Sequence, residues 1–341
     1  MRPEPLIERL DGTSAAPPPR GHADGTSEGK PHPEGRALVI GNLDGVHRGH
    51  QAIIKAAVAV ARVRSLEPAL LTFDPHPGAV VGSSPPPVLT TLERKAELAR
   101  RLGIERVFAR TFDAAFAAWS PERFVRDLLV SQVAAKAVFV GDNFRFGSGR
   151  AGDLAELQRL GADAGFDAYG FGMLRDDRGP LSSSRARADI ASGELEDARL
   201  TLGRWHAIVG RVAPGDQRGR TLGFPTANLA DVAEILPPHG VYAVAVDEVQ
   251  DDGARALATG VMNVGVRPTL GRPPALSIEV HLFDLARDLY GLRLRVHLVA
   301  RLRDERKFDG LEALKAQIAE DARVARTALA DVAPLPEGSF G

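Results

Sequence analysis

Cysteine is absent from all 341 residues. Its absence excludes disulfides, thiolate metal centres and cysteine nucleophiles, and it suits a reducing compartment. Neither sign of charge is in excess, since 43 Lys and Arg face 44 Asp and Glu and leave a formal charge of -1. No global field then draws nucleic acid or an anionic membrane, so any phosphate site must be local. Long apolar runs are missing as well. Nothing approaches the roughly 18 to 20 apolar residues of a membrane span, and the N-terminus has no positive segment followed by an apolar core. The expected setting is the cytoplasm. No motif returns at a fixed period, which argues against a solenoid.

What is present suffices for two buried cores: 44% hydrophobic and 26% charged residues, over a length that suits two domains. Asp11 to Gly35 is crowded with Pro, Gly, Ser, Thr and His. Such a segment cannot offset its own ordering entropy, so residues 1–35 are predicted to be a disordered tail. From Ala37 onward short apolar runs alternate with amphipathic ones. Ala37 to Ile40, Ala69 to Phe73 and Ala137 to Val140 read as buried strands. His50 to Arg64, Leu92 to Leu102, a segment capped by Ser120 with Pro121 behind it, and a run from Leu154 read as helices. This rhythm predicts a βαβ domain with a parallel sheet over residues 36–202, ending in a helical stretch from Arg187 to Leu202. After Gly203 the pattern turns β-rich: Trp205 to Val212, Val241 to Val246, Gly260 to Val264, Ser277 to Phe283 and Leu292 to Leu302. Residues 203–330 are therefore expected to form an antiparallel sheet or small barrel, closed by a helix from Leu311 to Ala322.

Two glycine-rich segments carry chemistry. The first, Gly41-Asn42-Leu43-Asp44-Gly45-Val46-His47-Arg48-Gly49-His50, follows a predicted strand and opens a predicted helix. Backbone N–H groups and the positive helix end would there face a bound anion. His47 and His50 can point at one ligand, and Gly49 between them leaves room for a nucleotide. Two histidines at this spacing also fit surface or capping roles. Thr72 to Pro77 and Gly141 to Gly147 end later strands, where open α/β sheets place ligands. Ser182-Ser183-Ser184-Arg185-Ala186-Arg187 adds hydroxyls and guanidinium forks suited to phosphate. The second segment, Gly219-Arg220-Thr221-Leu222-Gly223-Phe224-Pro225-Thr226-Ala227-Asn228, combines permissive glycines with the hard oxygens of Thr226 and Asn228, which suit Mg²⁺ carried by ATP. Read alone it also fits a hairpin loop with an Asn turn. Glu279 likewise fits the outward position of an alternating strand, Ser277 to His281. The basic run Arg301 to Lys307 lacks a stacking platform and reads as a solvated face rather than a nucleic-acid patch.

In this order the motifs resemble the bacterial bifunctional riboflavin kinase/FMN adenylyltransferase family, often called FAD synthetase, from about Ala37 to about Ala322. The family's first loop has an aromatic residue where this chain has Leu43. Its Ser-Ser-Thr-x-Ile-Arg element stands here as Ser182 to Arg187. Gly240-Val241-Tyr242, Val264 to Thr269, Ile278 to Leu282, Leu289-Tyr290-Gly291 and Arg301 to Phe308 recur in the kinase module. The resemblance implies a Rossmann-like nucleotidyltransferase domain followed by a six-stranded antiparallel kinase barrel with a terminal helix. It implies riboflavin phosphorylation to FMN and then adenylylation to FAD, with ATP, FMN and riboflavin as substrates and Mg²⁺ as the metal. His47, His50 and Arg187 would stabilise charge in adenylyl transfer. Gly41, Asn42, Asp44, Gly49, Ser183 and Ser184 would hold nucleotide, while Asn143 and Phe144 would hold the flavin nucleotide. In the kinase half Glu279 would be the base, Thr226 and Asn228 the metal-facing oxygens, and Gly219, Gly223, Pro225, Arg267 and Tyr290 further ligand contacts. The expected partners are small molecules, with neither nucleic acid nor membrane, and the sequence specifies no oligomeric state. Because the H-x-G-H loop also occurs in related cytidylyl- and adenylyltransferases, an enzyme with another acceptor and a flavin-binding module without turnover stay open at this point.

Overall fold

The computed structural model describes residues 7–11, 34–82, 84–214, 224–269, 272–335 and 338–341. The chain divides into two compact units, one drawn from Met1–Pro86 and Thr90–Ser182, the other from Pro87–Leu89 and Ser183–Gly341.

The first unit is built on six parallel strands: β1 (Ile7–Leu10), β2 (Arg36–Ile40), β3 (Glu67–Asp74), β4 (Arg106–Thr111), β5 (Ala135–Gly141) and β6 (Asp167–Phe171). Their order is β1-β4-β3-β2-β5-β6. Side chains alternate between the two faces. Ala37, Val39, Leu70, Val107, Ala137 and Phe139 meet helices α1 (Arg48–Arg64) and α3 (Leu92–Arg101), which follow the short α2 (Gly78–Val81). Leu38, Ile40, Leu71, Phe108, Val138 and Val140 instead meet Phe116, Trp119 and Leu128. Both faces are thus buried, which is why the strands read as nearly continuous apolar runs. Helix α1 earns its position through Ile54, Ala57, Val58 and Ala61, one stripe at helical spacing.

Several features depart from the sequence reading, beginning with β4 and β6, for which it named no strand. Ile7–Leu10 lies in the stretch expected to be a tail, yet it forms an edge strand beside β4. Only two apolar residues announce it. Its docking comes from Glu8–Arg106 at 3.2 Å, Arg9–Asp74 at 2.8 Å and a 2.6 Å bond from Arg110 Nη1 to Leu10 O. Residues 12–33 of that expected tail lie outside the described residues. The helix capped by Ser120 comes after the short α4 (Ala114–Ala117). It is α-helical only over α5 (Pro121–Arg123), then widens into a π-helix over Phe124–Gln132. Phe124, Val125, Leu128 and Leu129 are buried there, pairs that recur every four residues and suit a turn wider than 3.6. Helix α6 (Leu154–Ala164), capped by Asp153, starts where expected. A small hairpin of β7 (Arg175–Asp176) and β8 (Gly179–Pro180) follows.

The expected helix from Arg187 to Leu202 is two helices, α7 (Ser183–Ser192) and α8 (Leu195–Leu202), separated at Gly193, whose φ of 86° no continuing helix adopts. Ala186, Ile190, Ala198 and Leu202 pack with Leu89 and Ile235. By packing, the division therefore comes at Ser182/Ser183, earlier than the change in composition at Gly203.

In the second unit β9 (His206–Ala213), β10 (Ala227–Ala230), β11 (Gly240–Gln250), β12 (Gly253–Thr269), β13 (Arg272–Leu282) and β14 (Arg293–Arg303) close an antiparallel barrel in the order β10-β13-β12-β11-β14-β9. Ile208, Tyr242, Val244, Met262, Ile278, Val280 and Val296 fill it. Helix α9 (Leu311–Ala328) covers the outside through Ala325, against Ala243, Phe283 and Val299. The fold is thus the expected parallel-sheet domain followed by a six-stranded barrel with a terminal helix.

The base of the parallel sheet is fastened by charge. Glu67 is fully buried and accepts from Arg36 Nε at 2.7 Å and from Arg106 Nε at 3.1 Å, while Arg36 Nη1 reaches Val133 O at 2.7 Å. Burial pushes the Arg36 guanidinium below its usual value, and Glu67 opposes that shift. Removing one partner of a buried pair strands the other charge. Glu67→Ala is expected to destabilise the first unit by about 3–5 kcal/mol, read as a lowered denaturant midpoint; an unchanged midpoint would refute this role for the carboxylate.

Candidate functional site

In the parallel sheet β2 lies between β3 and β5, so connections leave its two sides in opposite directions and the chain beyond Ile40 emerges at the switch point. Gly41 N still bonds Leu71 O at 3.1 Å, holding the loop to the sheet. The next residues coil tightly. Leu43, Gly45 and Val46 have φ of 48°, 80° and 40°, a strained conformation for a β-branched valine. The strain is held from below. Leu43 is buried in the core shared with α1, so this aliphatic residue fills an apolar place. Asp44 Oδ1 accepts from Thr90 N at 3.0 Å and Thr90 Oγ1 at 3.2 Å, and Gly45 N donates back to Thr90 Oγ1 at 3.0 Å. Asp44 is thereby a buried fastener of the loop.

His47 ends the loop as the cap of α1. Its Nδ1 accepts from Gly49 N at 3.1 Å and His50 N at 3.4 Å, so the proton of the neutral ring is on Nε2. The His50 ring stacks on it with centroids 3.6 Å apart. The capping role that the sequence allowed is thus the one His47 takes, through one ring nitrogen. Gly49 has a second duty besides leaving room: a Cβ at that position would sit 3.0 Å from His47 Cε1.

His76 lies just past β3, within the Thr72 to Pro77 segment. Its ring Nδ1 accepts from Gly78 N at 3.0 Å, leaving the proton on Nε2, which lies 3.1 Å from the Asn42 amide. Asn42, His47, His50 and His76 are thus drawn to the same end of the sheet. Asn143 is exposed in the turn after β5, and half-buried Phe144 stacks on Phe146 with centroids 5.6 Å apart.

Ser183, Ser184 and Arg187 lie on the first turns of α7, in the second unit, where Arg187 Nε donates to Pro87 O at 2.7 Å. In the barrel Asn228 of β10 stands opposite Glu279 of β13. Ile278 and Val280 point into the barrel core, so Glu279 points out of it, as alternation requires. Its carboxylate accepts from Ser277 Oγ at 3.1 Å and Thr226 Oγ1 at 3.4 Å. Pro225 O accepts from His281 Nδ1 at 2.9 Å, which ties the segment before β10 to β13. Tyr290 is exposed in a turn where its N–H meets Asp288 Oδ1 at 3.0 Å. Gly219 and Gly223 lie outside the described residues, and Arg267 is placed by its backbone in β12. Thr90 had no signal in the sequence, because its partner Asp44 is brought in by the fold, whereas Ser277 and His281 stood in a named strand without an assigned role.

A family model for FAD synthetase matches residues 29–185 and one for riboflavin kinase matches residues 202–329. The bifunctional riboflavin kinase/FMN adenylyltransferase of Escherichia coli strain K12 is 41% identical over 294 residues, covering 86% of this chain and 92% of that protein. Its counterpart from Bacillus subtilis strain 168 is 36% identical, covering 84% and 90%. Among solved structures, a Streptococcus pneumoniae chain named macrolide-efflux protein aligns with TM-score 0.78 at 26% identity, covering 94% of this chain and 99% of its own.

The Gly49 contact gives a test of the cap. Gly49→Ala should push the His47 ring off its two amides and cost about 1 kcal/mol of stability, the usual value of a lost helix cap. Faster hydrogen exchange at the first amides of α1 would register it, whereas unchanged protection would show that the ring is held elsewhere.

Proposed function

The chain belongs to the bacterial bifunctional riboflavin kinase/FMN adenylyltransferase family, and we propose that its parallel-sheet unit adenylylates FMN while its barrel phosphorylates riboflavin. The enzyme phosphorylates riboflavin to FMN with ATP and adenylylates FMN to FAD, releasing pyrophosphate. The two steps ask for different chemistry. FMN's terminal phosphate has a second pKa of about 6 and is largely dianionic at neutral pH, so it attacks the α-phosphorus without a base. What that step needs is alignment and charge stabilisation.

The observation that carries the assignment is the His47 cap, which uses Nδ1 at the head of α1 and so puts the ring proton on Nε2, with the His50 ring stacked on it. In this reading both rings, together with the amides at the head of α1, stabilise charge on the transferring phosphate. Asn42, Gly41 and Gly49 shape the loop that receives the nucleotide. Arg187 is assigned by its motif to the departing pyrophosphate, with the Ser183 and Ser184 hydroxyls beside it in sequence. Asn143 and the ring of Phe144 take the flavin nucleotide.

A ribityl 5'-hydroxyl is a poor nucleophile at neutral pH, so the kinase step gains from a base. Glu279 takes that role, aimed by the Ser277 and Thr226 hydroxyls that donate to it. Donation by Thr226 leaves its lone pairs for a cation, and the Asn228 amide across the strand pair adds an oxygen. This oxygen-only set fits Mg²⁺ brought with ATP. Bound there, Mg²⁺ would neutralise charge on the β- and γ-phosphates. Gly219, Gly223, Pro225, Arg267 and Tyr290 belong to the ligand contacts of this half. No helix among the described residues is long and apolar enough to cross a membrane, in keeping with a cytoplasmic setting for this synthesis.

Single substitutions separate the steps. His50→Ala should lower conversion of FMN to FAD by about 10²–10³-fold and spare conversion of riboflavin to FMN. Glu279→Gln should lower FMN formation by about 10²–10⁴-fold and spare adenylylation of added FMN. Chromatographic resolution of the flavins under Mg-ATP reads both; if neither variant changes its own step, the residue assignments fail.

A further inference from the structure

We infer that Lys95 is a positioning residue for adenylyl transfer, bracing the Asn42 segment of the phosphate-facing loop and supplying the positive charge that offsets Asp44 and Asp74 beneath it. The inference rests on the adenylyltransferase reading of the first unit. Lys95 lies on α3 between buried Arg94 and Ala96, and it is itself only 7% exposed. Its Nζ donates to Thr72 Oγ1 at 3.1 Å, and that fully buried hydroxyl donates on to Asn42 O at 3.2 Å. Asn42 in turn contacts His76 at 3.1 Å. One relay thus joins α3, β3, the loop and the residue after β3.

A lysine here is costly, because burial disfavours the ammonium. Hydrogen bonding does not explain it, since the Thr72 hydroxyl already has a carbonyl for its proton. Charge does. Asp44 from the loop and Asp74 from β3 both act on the ammonium. Asp74 is also paired with Arg9 at 2.8 Å, and Asp44 is bonded by the uncharged Thr90. Two carboxylates at a loop that must accept a triphosphate would repel it, and Lys95 is the buried cation that offsets them. Burial lowers its pKa from the ordinary lysine value while the two aspartates oppose the shift. Of the charged and titratable groups around it, Asp44 and Asp74 act on it, Arg9 pairs with Asp74 and His76 meets Asn42.

The test uses the full chain with both reactions measured. Lys95→Met keeps the length, removes the charge and relieves the burial, so its unfolding midpoint should not fall. Adenylylation of FMN should drop about 100-fold in kcat/KM, with a raised KM for ATP. Formation of FMN from riboflavin should stay at the level of the unsubstituted enzyme. The pH profile adds a reading that a structural role would not move. Activity requires the protonated amine, so it is present at lower pH and falls as pH rises through a value below about 10.4, the unperturbed lysine pKa. Lys95→Arg, whose guanidinium stays charged throughout the working range, should lose that basic limb while retaining part of the activity. Adenylylation by the Met variant within threefold of the unsubstituted enzyme, an unchanged basic limb in the Arg variant, or unfolding of both variants would each overturn the inference. Absence of FAD formation by the unsubstituted enzyme would instead overturn the reading on which it rests.

Discussion

Glu67 lies at the bottom of the parallel sheet, between Arg36 of the strand on one side and Arg106 of the strand on the other. A carboxylate with no exposure, held by two guanidinium groups, tolerates little displacement. It therefore fixes the register of β2, β3 and β4, and in an alternating sheet a one-residue slip would exchange the two buried faces. Everything at the opposite ends of these strands inherits that register. Gly41, Thr72, Asp74 and His76 reach one region only because the strand beginnings are locked.

On that scaffold the loop after β2 is assembled from hydrogen bonds that leave little choice of proton position. His47 and His76 each spend Nδ1 on a backbone amide, so each presents Nε2–H. The Asp44–Thr90 pair and the buried Leu43 hold a backbone that departs from ordinary helix and strand angles. Preorganisation of this kind suits a transfer in which the nucleophile is already ionised and the protein's work is placement of donors. In the barrel the arrangement differs in kind. A carboxylate outside the apolar core, oriented by two hydroxyls, suits a reaction whose nucleophile must lose a proton. In the proposed reading two ATP chemistries rest on two frameworks, one presenting fixed N–H donors and the other an oriented acceptor.

Much of this was legible in the chain. Alternating and continuous apolar runs placed β2, β3, β5 and every barrel strand but β10, and Ser120 and the Gly41 to His50 segment marked helix starts, because those signals are local. The edge strand β1 was not legible, since four residues with one apolar side chain per face look like any tail segment. Nor was the π-helix, whose widened turn is imposed by the core it packs against. Within the site, Glu279, Thr226 and Asn228 were reached by motif, but Lys95 and Thr90 were not.

The amino-acid sequence by itself determined which segments become strands and helices, the two-part architecture and the chemical types gathered in each glycine-rich segment, since these follow from periodicity, backbone preference and side-chain functional groups close together in the chain. Tertiary structure alone decided that Asp44 fastens a loop, that His47 offers Nε2 and that Glu279 is aimed by Thr226. Those roles depend on hydrogen bonds spanning 46 positions between Asp44 and Thr90 and 53 between Thr226 and Glu279, or on the direction of a single ring nitrogen. Neither leaves a local pattern, because such partners meet only after the strands have paired in register.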